Sequence, residues 1–215
     1  MKKTKIKIPG IKDIFIAVTG AALCGLGLGF VNFSELGMDS VGLFYDGIRK
    51  ILNLTPDQIG TASYIVSGVL FLFLFIVERK YVSIGSLIYV IVYGAFANLG
   101  SYVLEKIISE KNLYLMVILA SVGFLIIYFG IALYITVDIG VDAFTGLSLW
   151  LTDLTKKPFK AVKIVFDIIL AVIGFLMGGK LGVLTFITAL AGGPIIAFFT
   201  KHLQRLYFRG KLKDI

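Results

Sequence analysis

The sequence predicts an all-α membrane protein, a polytopic bundle of six transmembrane helices. Of its 215 residues 58% are hydrophobic and only 16% are charged, whereas soluble domains have roughly 45–50% apolar and about 25% charged residues. The mean hydropathy is +0.96. The apolar segments approach the length of about 20 residues that crosses a bilayer. They must be helices, because a lone strand would leave its backbone polar groups unsatisfied in hydrocarbon.

The chain is predicted to form a single membrane domain over residues 1–215. Its first apolar stretch follows Met1-Lys2-Lys3, as the apolar stretch of a secretion signal would. This stretch is about as long as a full span, however, and no small-x-small cleavage site ends it. We therefore interpret it as a retained helix and not as a secretion signal. The six predicted spans are Ile11–Phe33, Ile59–Val77, Ile84–Leu104, Leu113–Val137, Pro158–Gly178 and Gly182–Phe199.

A short helix is predicted after the first span and another after the fourth. Ser40–Leu52 has its apolar residues on one helical face, as expected of a helix that lies on the membrane or partly enters it. Its counterpart, Ala143–Leu154, is more apolar. Asp39 and Asp142 precede these segments, where an N-cap accepts backbone N–H groups.

Basic residues are unevenly divided between the two sides of the six-span arrangement, sixteen against five. The positive-inside rule places the richer side, with both termini, in the cytoplasm. Its basic residues are expected to contact anionic lipid head groups, and nucleic acid is not expected as a partner. The sixteen are Lys2, Lys3, Lys5, Lys7, Lys12, Arg79, Lys80, Lys156, Lys157, Lys160, Lys163, Lys201, Arg205, Arg209, Lys211 and Lys213; the five are Arg49, Lys50, Lys106, Lys111 and Lys180.

The chain contains an internal repeat, from about 11–108 and about 113–205. The two units match in a glycine pattern and in an acidic-apolar-Gly-apolar-Asp turn. Because each unit has three spans, the second must enter the membrane upside down. Inverted repeats recur in secondary transporters, with the substrate site near midplane, but channels and non-transport proteins have them too. The matched residues are Gly20 with Gly123, Gly27 with Gly130, Glu35–Asp39 with Asp138–Asp142 (shift 103), Pro56 with Pro158 (shift 102) and Gly85 with Gly182 (shift 97).

Asp167 is the sharpest polar signal within a span. It lies about 14 Å into the fifth span at 1.5 Å per residue, where a carboxylate costs roughly 2.5–3.5 kcal/mol on insertion scales. Lys163, one helical turn earlier, offers a structural ion-pair partner. The alternative is a carboxylate that couples transport to a proton or cation.

Other polar residues are further candidates. Asn98, Tyr64, Thr185 and Thr188 would either bond across helices or line a substrate or coupling-ion site. Gly192-Gly193-Pro194 is expected to interrupt the sixth span. The acidic residues of the two turns would cap helices or guard the mouths of a path, and they are Glu35, Asp39, Asp138 and Asp142.

Enzymatic and metal chemistry find little support in the sequence. Cys24 is the only cysteine and His202 the only histidine, which excludes an intramolecular disulfide and disfavours a metal site. There is no P-loop or nucleophile elbow, and the glycines do not follow a strand. We expect no catalytic residues, no enzyme activity and no cofactor.

The acidic turn, the duplicated plan and the chain length resemble the YczE/YyaS/YitT family of bacterial integral membrane proteins. The similarity covers nearly the whole chain and rests on Leu36-Gly37-Met38-Asp39, Gly60-Thr61 and Ile84-Gly85-Ser86-Leu87. Many relatives carry Pro-Trp-Asp after the first turn, where this chain has Ser40-Val41-Gly42. The resemblance implies a bacterial plasma-membrane location and a small-molecule exporter or permease.

Two functional hypotheses follow from these features. The first is a small secondary transporter or exporter of a small organic solute or ion, with Asp167 at its centre and the acidic turns at its gates. The second is a non-transport membrane scaffold or assembly protein that recruits a partner through its basic cytoplasmic face. The sequence does not indicate an oligomer.

Overall fold

The computed structural model describes residues 10–110 and 112–213, with side chains described as far as Tyr207. This part of the chain is helical, as the composition predicts. Its helices are α1 (Ile11–Ser34), α2 (Ser40–Ile51), α3 (Ile59–Val77), α4 (Ile84–Ile107), α5 (Leu113–Val137), α6 (Ala143–Thr155), α7 (Phe159–Leu176) and α8 (Val183–Lys213), with 3-10 turns at Pro56–Gln58 and Arg79–Tyr81.

Five helices are long and apolar enough to cross a membrane. They are α1, α3 with its preceding turn, α4, α5 and the part of α8 up to Tyr207. The 18-residue helix α7 is not among them, and it carries Lys160, Lys163 and Asp167 in its first half. The multi-pass helical prediction is confirmed, but length and composition do not confirm the sixth span.

The predicted bounds are closest where hydrophobicity alone sets them. Helices α3 and α5 have the predicted bounds, whereas α8 continues to Lys213, past the predicted end at Phe199. Hydropathy falls at Lys201, but charged and polar residues continue a helix in water. A break of the helix at Gly192-Gly193-Pro194, one form of the expected interruption, is wrong, because α8 runs through this segment with Pro194 inside it. The other form, a kink, stays a prediction. Gly192 instead makes room for Tyr128, whose hydroxyl oxygen would lie 3.0 Å from a Cβ there.

Helix α1 lies at the centre, between α5 and α4. A Cβ on Gly20 would lie 2.8 Å from the carbonyl oxygen of Gly130, and one on Gly27 would lie 2.5 Å from that of Gly123. These contacts make α1 and α5 antiparallel and allow their backbones to touch. On its other side α1 packs parallel to α4. Asn32 secures the end of α1 by donating to the carbonyl oxygen of Pro56 at 2.8 Å.

The helix ends define two faces. At the N-terminal face, where α1 begins, the Tyr207 hydroxyl donates to Asp13, and the Ser83 hydroxyl at the start of α4 donates to the Ile139 carbonyl oxygen at 3.1 Å. At the opposite face, the end of α1 meets the start of α8, where the Leu184 N–H donates to the Leu36 carbonyl oxygen at 3.4 Å.

The short helices α2 and α6 begin inside the bundle, and we call them the half-helices. At the start of α2, a Cβ on Gly42 would lie 3.2 Å from Leu28, well before the end of α1. From there α2 runs to the opposite face, where Lys50 bonds to the Gly178 carbonyl oxygen. The N-terminal ends of the half-helices meet at an edge-to-face contact of Phe44 and Phe144, with ring centroids 6.0 Å apart. Helix α6 runs to the N-terminal face.

Candidate functional site

Asp39 and Asp142 cap the N-termini of the half-helices. Asp39 Oδ1 accepts the Gly42 N–H at 3.3 Å. Asp142 Oδ1 accepts the N–H groups of Phe144 and Thr145, both at 3.0 Å, and its Oδ2 accepts the Thr145 hydroxyl. Both carboxylates therefore stand at the positive end of a helix dipole, where negative charge is stabilised. Asp142 is the more fully bonded of the two.

The acidic turn is built the same way in both places. Glu35 ends α1 with φ 61°, and Asp138 ends α5 with φ 49°, so both lie in the left-handed region that turns a chain out of a helix. Gly37, with φ 110°, makes the first turn possible. Glu35 is exposed at the opposite face, where Lys180 pairs with it at 2.8 Å. Glu35 and Asp138 thus lie on the two faces, away from the N-terminal ends of the half-helices.

Four tyrosine rings contact one another in a chain close to these caps. Tyr93 stacks on Tyr89 with centroids 5.3 Å apart and lies 6.2 Å from Tyr45. Tyr89 in turn meets Tyr134 edge to face at 4.9 Å, and Tyr45 meets Phe144 at 5.5 Å. These rings come from α2, α4, α5 and α6, so both halves of the chain contribute to one aromatic wall.

The two capping aspartates face the same region. Each interacts electrostatically with Cys24 and with the hydroxyls of Tyr45 and Tyr93. Both aspartates are only half-buried. The central cluster, as we use the term, consists of Cys24, Asp39, Tyr45, Tyr89, Tyr93, Tyr128, Tyr134 and Asp142.

Two hydroxyls of the central cluster have no hydrogen-bond partner among the described residues. Tyr128 is 7% exposed and Tyr134 is 5% exposed. Tyr128 interacts electrostatically with Asp39, and Tyr134 with Asp142. A buried hydroxyl without a partner costs about 1–3 kcal/mol by mutational measures, and such groups are rare in native proteins. Their donors are therefore free for a ligand or for water.

Asp167 lies beside the central cluster but is already paired. Lys163 Nζ donates to Asp167 Oδ1 at 2.6 Å across one turn of α7, and both residues interact electrostatically with Asp39. Asp167 does not meet Asn98, so the structure does not bring these two predicted site residues together.

The predicted polar residues of the second and third spans connect α3 to α4. Asn98 Nδ2 donates to the Thr61 hydroxyl at 3.0 Å, and its Oδ1 accepts the Thr61 N–H at 3.2 Å. The Tyr64 hydroxyl donates to the Ile91 carbonyl oxygen at 2.7 Å. These bonds hold two neighbouring helices together.

Thr185 and Thr188 are buried in the first turns of α8. The Thr185 hydroxyl accepts the Gly182 N–H at 3.3 Å, and the Thr188 hydroxyl donates to the Thr185 carbonyl oxygen at 3.0 Å. Thr185 also packs on Gly37, where a Cβ would lie 2.8 Å from its hydroxyl oxygen. Both threonines thus belong to the contact between the first acidic turn and α8.

No pattern in the sequence singles out the tyrosines of the central cluster. A tyrosine in an apolar span has no signature that separates packing from a polar lining. One signal was available, since Tyr89 and Tyr93 are four residues apart and share a helical face.

Each half-helix carries, near its end, an acidic residue that bonds to the other half of the chain. At the opposite face, Asp46 accepts two bonds from Arg49, at 2.9 and 2.7 Å, and the Lys180 N–H at 2.9 Å. At the N-terminal face, Asp153 accepts Lys80 at 2.7 Å and the Tyr81 hydroxyl. These two hydrogen bonds lower the pKa of Asp153.

Two apolar cavities lie beside α7, and no residue of the central cluster lines either of them. One, of about 340 Å³, lies between α3 and α7 and is floored by Phe44 and Phe144. Another, of about 310 Å³, lies between α6 and α7, beside Leu151 and Phe166. Within residues 10–110 and 112–213, no three His, Cys, Asp or Glu side chains gather as a metal site.

Part of the predicted basic side lies outside the residues that the structure describes. The structure leaves out Lys2, Lys3, Lys5, Lys7 and Lys111, and the side chains of Arg209, Lys211 and Lys213. Of the described basic residues at the opposite face, Arg49, Lys50 and Lys180 are in ion pairs with Asp46 or Glu35.

Comparison with known proteins supports the membrane assignment. An uncharacterised protein of Haemophilus influenzae is 26% identical over 195 residues, covering 91% of this chain and 86% of that protein. The uncharacterised protein YyaS of Bacillus subtilis is 23% identical over 186 residues, covering 86% and 91%. The uncharacterised membrane protein YczE of Bacillus subtilis is 23% identical over 168 residues, covering 78% and 75%.

No solved structure matches the chain. The relatives YyaS and YczE confirm the family resemblance that the turn motifs predicted. The model of a family of unknown function, DUF6198, matches residues 11–201. The chain is a multi-pass helical membrane protein, and it belongs to the DUF6198 family.

Proposed function

We propose that the protein is a small secondary transporter or exporter of a small organic solute or ion. The observation that carries this proposal is the meeting of two half-helix N-termini at the central cluster, beside two buried hydroxyls that have no hydrogen-bond partner among the described residues. Discontinuous helices whose ends converge near midplane are how many transporters build a substrate site.

A sixth crossing, by α7, is part of the proposal. The bond from Tyr207 to Asp13 joins the end of α8 to the start of α1, and both ends on one face require an even number of crossings. Helix α7 begins after α6 has reached the N-terminal face, and it ends beside Lys50 at the opposite face. Its charged residues are compatible with a span, since Lys163 and Asp167 neutralise each other.

An inverted repeat is the second part of the proposal, and packing supports it. Under the shift of 103, the contact of Gly20 with Gly130 becomes that of Gly123 with Gly27, and both contacts occur. The same exchange of the two halves relates pairs of helices that are in contact. The α1–α4 pair corresponds to the α5–α8 pair, and the α2–α7 pair corresponds to the α6–α3 pair.

The glycines at the helix starts repeat this relation. Gly85 packs against the Ile139 carbonyl oxygen, and Gly182 packs against that of Leu36. The shifts of 97 and 103 found in the sequence convert one contact into the other. Two sets of contacts therefore support a two-fold relation between oppositely directed triplets.

The N-terminal face would lie in the cytoplasm of a bacterial cell, with the protein in the plasma membrane. The lysine and arginine count supports this orientation. A fluorescent-protein fusion after α8 should fluoresce, and a phosphatase fusion at Ser109, after α4, should be active outside the cytoplasm. Activity of a C-terminal phosphatase fusion would contradict the orientation and the even number of crossings.

Transport itself is tested with proteoliposomes loaded with a bacterial metabolite extract. Solutes that leave faster than from protein-free liposomes, under proton or sodium gradients, are identified by mass spectrometry. The variant with Asp39→Asn and Asp142→Asn together should lose this efflux, and Glu110→Gln, an exposed acid beyond α4, should keep it. Efflux equal to that of empty liposomes under every gradient would leave a scaffold as the better account.

A further inference from the structure

The charge of the central cluster limits what it can hold. Asp39 and Asp142 contribute two carboxylates that face one region. Among the described residues that act on Asp39, the cation is Lys163, and Lys163 is already paired with Asp167 at 2.6 Å. The region therefore has an excess of negative charge, although the half-helix dipoles offset part of it.

The aromatic wall adds a second preference. The rings follow one another in the order Tyr45, Tyr93, Tyr89 and Tyr134, at centroid distances of 6.2, 5.3 and 4.9 Å. The face of such a ring attracts a cation, and the attraction is stronger when both are shielded from water. Organic ammonium ions use this attraction best, because they are weakly hydrated and their alkyl groups fit against rings.

The unpartnered hydroxyls are the independent sign that something polar binds here. Tyr134 interacts electrostatically with Asp142 and Tyr128 interacts with Asp39, so each carboxylate acts on one hydroxyl that has no hydrogen-bond partner among the described residues. A phenol oxygen also accepts a hydrogen bond from an ammonium N–H or a ligand hydroxyl.

We infer that the central cluster binds a small organic cation of the ammonium type, between the carboxylates of Asp39 and Asp142 and the rings of Tyr45, Tyr89 and Tyr93. This inference rests on the proposed transport function and specifies its substrate class. The carboxylates balance the charge, the rings hold the alkyl groups, and the hydroxyls of Tyr128 and Tyr134 bind polar groups.

The test is ligand binding to the purified full-length protein, measured by calorimetry and by thermal shift. The probes are tetramethylammonium, choline and ethanolamine. The matched control for choline is 3,3-dimethylbutan-1-ol, which has the same shape without the charge, and sodium chloride controls for ionic strength. At least one ammonium probe should bind, and the neutral alcohol should not.

Variants then locate the site. Asp39→Asn and Asp142→Asn should each weaken binding about tenfold or more, and both should fold because asparagine is an equally good N-cap. Tyr93→Phe should bind nearly as well as the natural protein, whereas Tyr93→Leu should bind several-fold more weakly. Glu110→Gln should bind unchanged.

Three results would each overturn the inference. The first is that no ammonium probe binds to a protein that circular dichroism shows to be folded. The second is that choline and the neutral alcohol bind equally well, and the third is that the asparagine variants bind the probe with the same affinity as the natural protein. If metabolite efflux persists in any of these cases, the substrate class is wrong while the transport proposal stands. If efflux is also absent, both fail together.

Discussion

The two half-helices pack very differently against the other half of the chain. Where α2 meets α7, backbones touch: a Cβ on Gly174 would lie 2.7 Å from the Leu43 carbonyl oxygen, and one on Gly47 would lie 2.8 Å from that of Gly174. Where α6 meets α3, the nearest atom to a Cβ on Gly146 is the tip of Leu74, at 3.1 Å. The first contact is rigid and the second is adjustable.

The ion pairs at the half-helix ends differ in the same sense. Asp46, at the end of α2, is fully buried, and Arg49 is 5% exposed. Asp153 and Lys80, at the end of α6, have side chains that are 43% and 48% exposed. A buried pair is difficult to separate once formed, whereas an exposed pair competes with water and contributes little.

The difference concerns the half-helices and not the whole of each face. Close glycine contacts and a buried ion pair hold α2 at the opposite face, while exposed side chains and the cavity between α6 and α7 leave α6 more loosely held at the N-terminal face. At the starts of α4 and α8 the two faces are alike, since Gly85 packs against the Ile139 carbonyl oxygen and Gly182 packs against that of Leu36.

The largest expected effect is that of Asp46→Ala. It leaves Arg49 buried without its carboxylate and removes the acceptor of the Lys180 N–H. Breaking a buried pair from one side costs about 3–5 kcal/mol. We expect a large drop in the thermal unfolding midpoint in detergent.

The matched control is Asp153→Ala, which removes the exposed counterpart. Its unfolding midpoint at neutral pH should remain close to that of the natural protein. An equal drop in the unfolding midpoint of the two variants would mean that α2 and α6 are held equally firmly, which would contradict the difference between the two half-helices.

A second prediction concerns the glycines of the two contacts. Gly174→Ala should destabilise the protein by about 1–3 kcal/mol, as overpacking does, because the added methyl meets the backbone at Leu43 and Phe44. Gly146→Ala should be nearly neutral, since the Leu74 tip can move and alanine favours a helix by up to about 1 kcal/mol. Chemical denaturation in mixed micelles measures both.

A destabilisation by Gly146→Ala that matches Gly174→Ala would show that α6 packs as tightly as α2. Gly68→Ala on α3 serves as the reference, since a Cβ there meets nothing within 4 Å.

Much of the fold could be predicted from the sequence, because the membrane makes hydrophobic length informative. The bounds of α3 and α5 follow from where apolar residues begin and end. The caps Asp39 and Asp142 followed from local turn chemistry. The depth to which the half-helices enter the bundle could not be predicted, since an amphipathic segment with the same pattern can either lie on the membrane or fold back into the bundle.

The central cluster could be predicted only in part, for a related reason. The sequence predicts Asp39 and Asp142 as helix caps or as gates at the mouths of a transport path. Their position inside the bundle, however, is set by how α2 and α6 fold back. Tyr45 and Tyr134 meet the cluster through long-range packing that no local pattern encodes. Conversely, Lys163 and Asp167 pair within one helix, and that contact could be anticipated from spacing alone.

The smallest expected effect is a pH dependence at α6, the more loosely held half-helix. Hydrogen bonds from Lys80 and Tyr81 lower the pKa of Asp153, and the Asp153 bond raises that of Lys80. A lowered carboxyl pKa contributes stability that is complete above the ordinary value of about 3.9 and is lost as pH falls through the lowered pKa. Hydrogen exchange at the end of α6 should therefore be slower in the natural protein than in Asp153→Asn at neutral pH, and the difference should vanish in strong acid. A difference that persists in acid would mean that this contact does not depend on the charge of Asp153, and that α6 is held by packing, as α2 is.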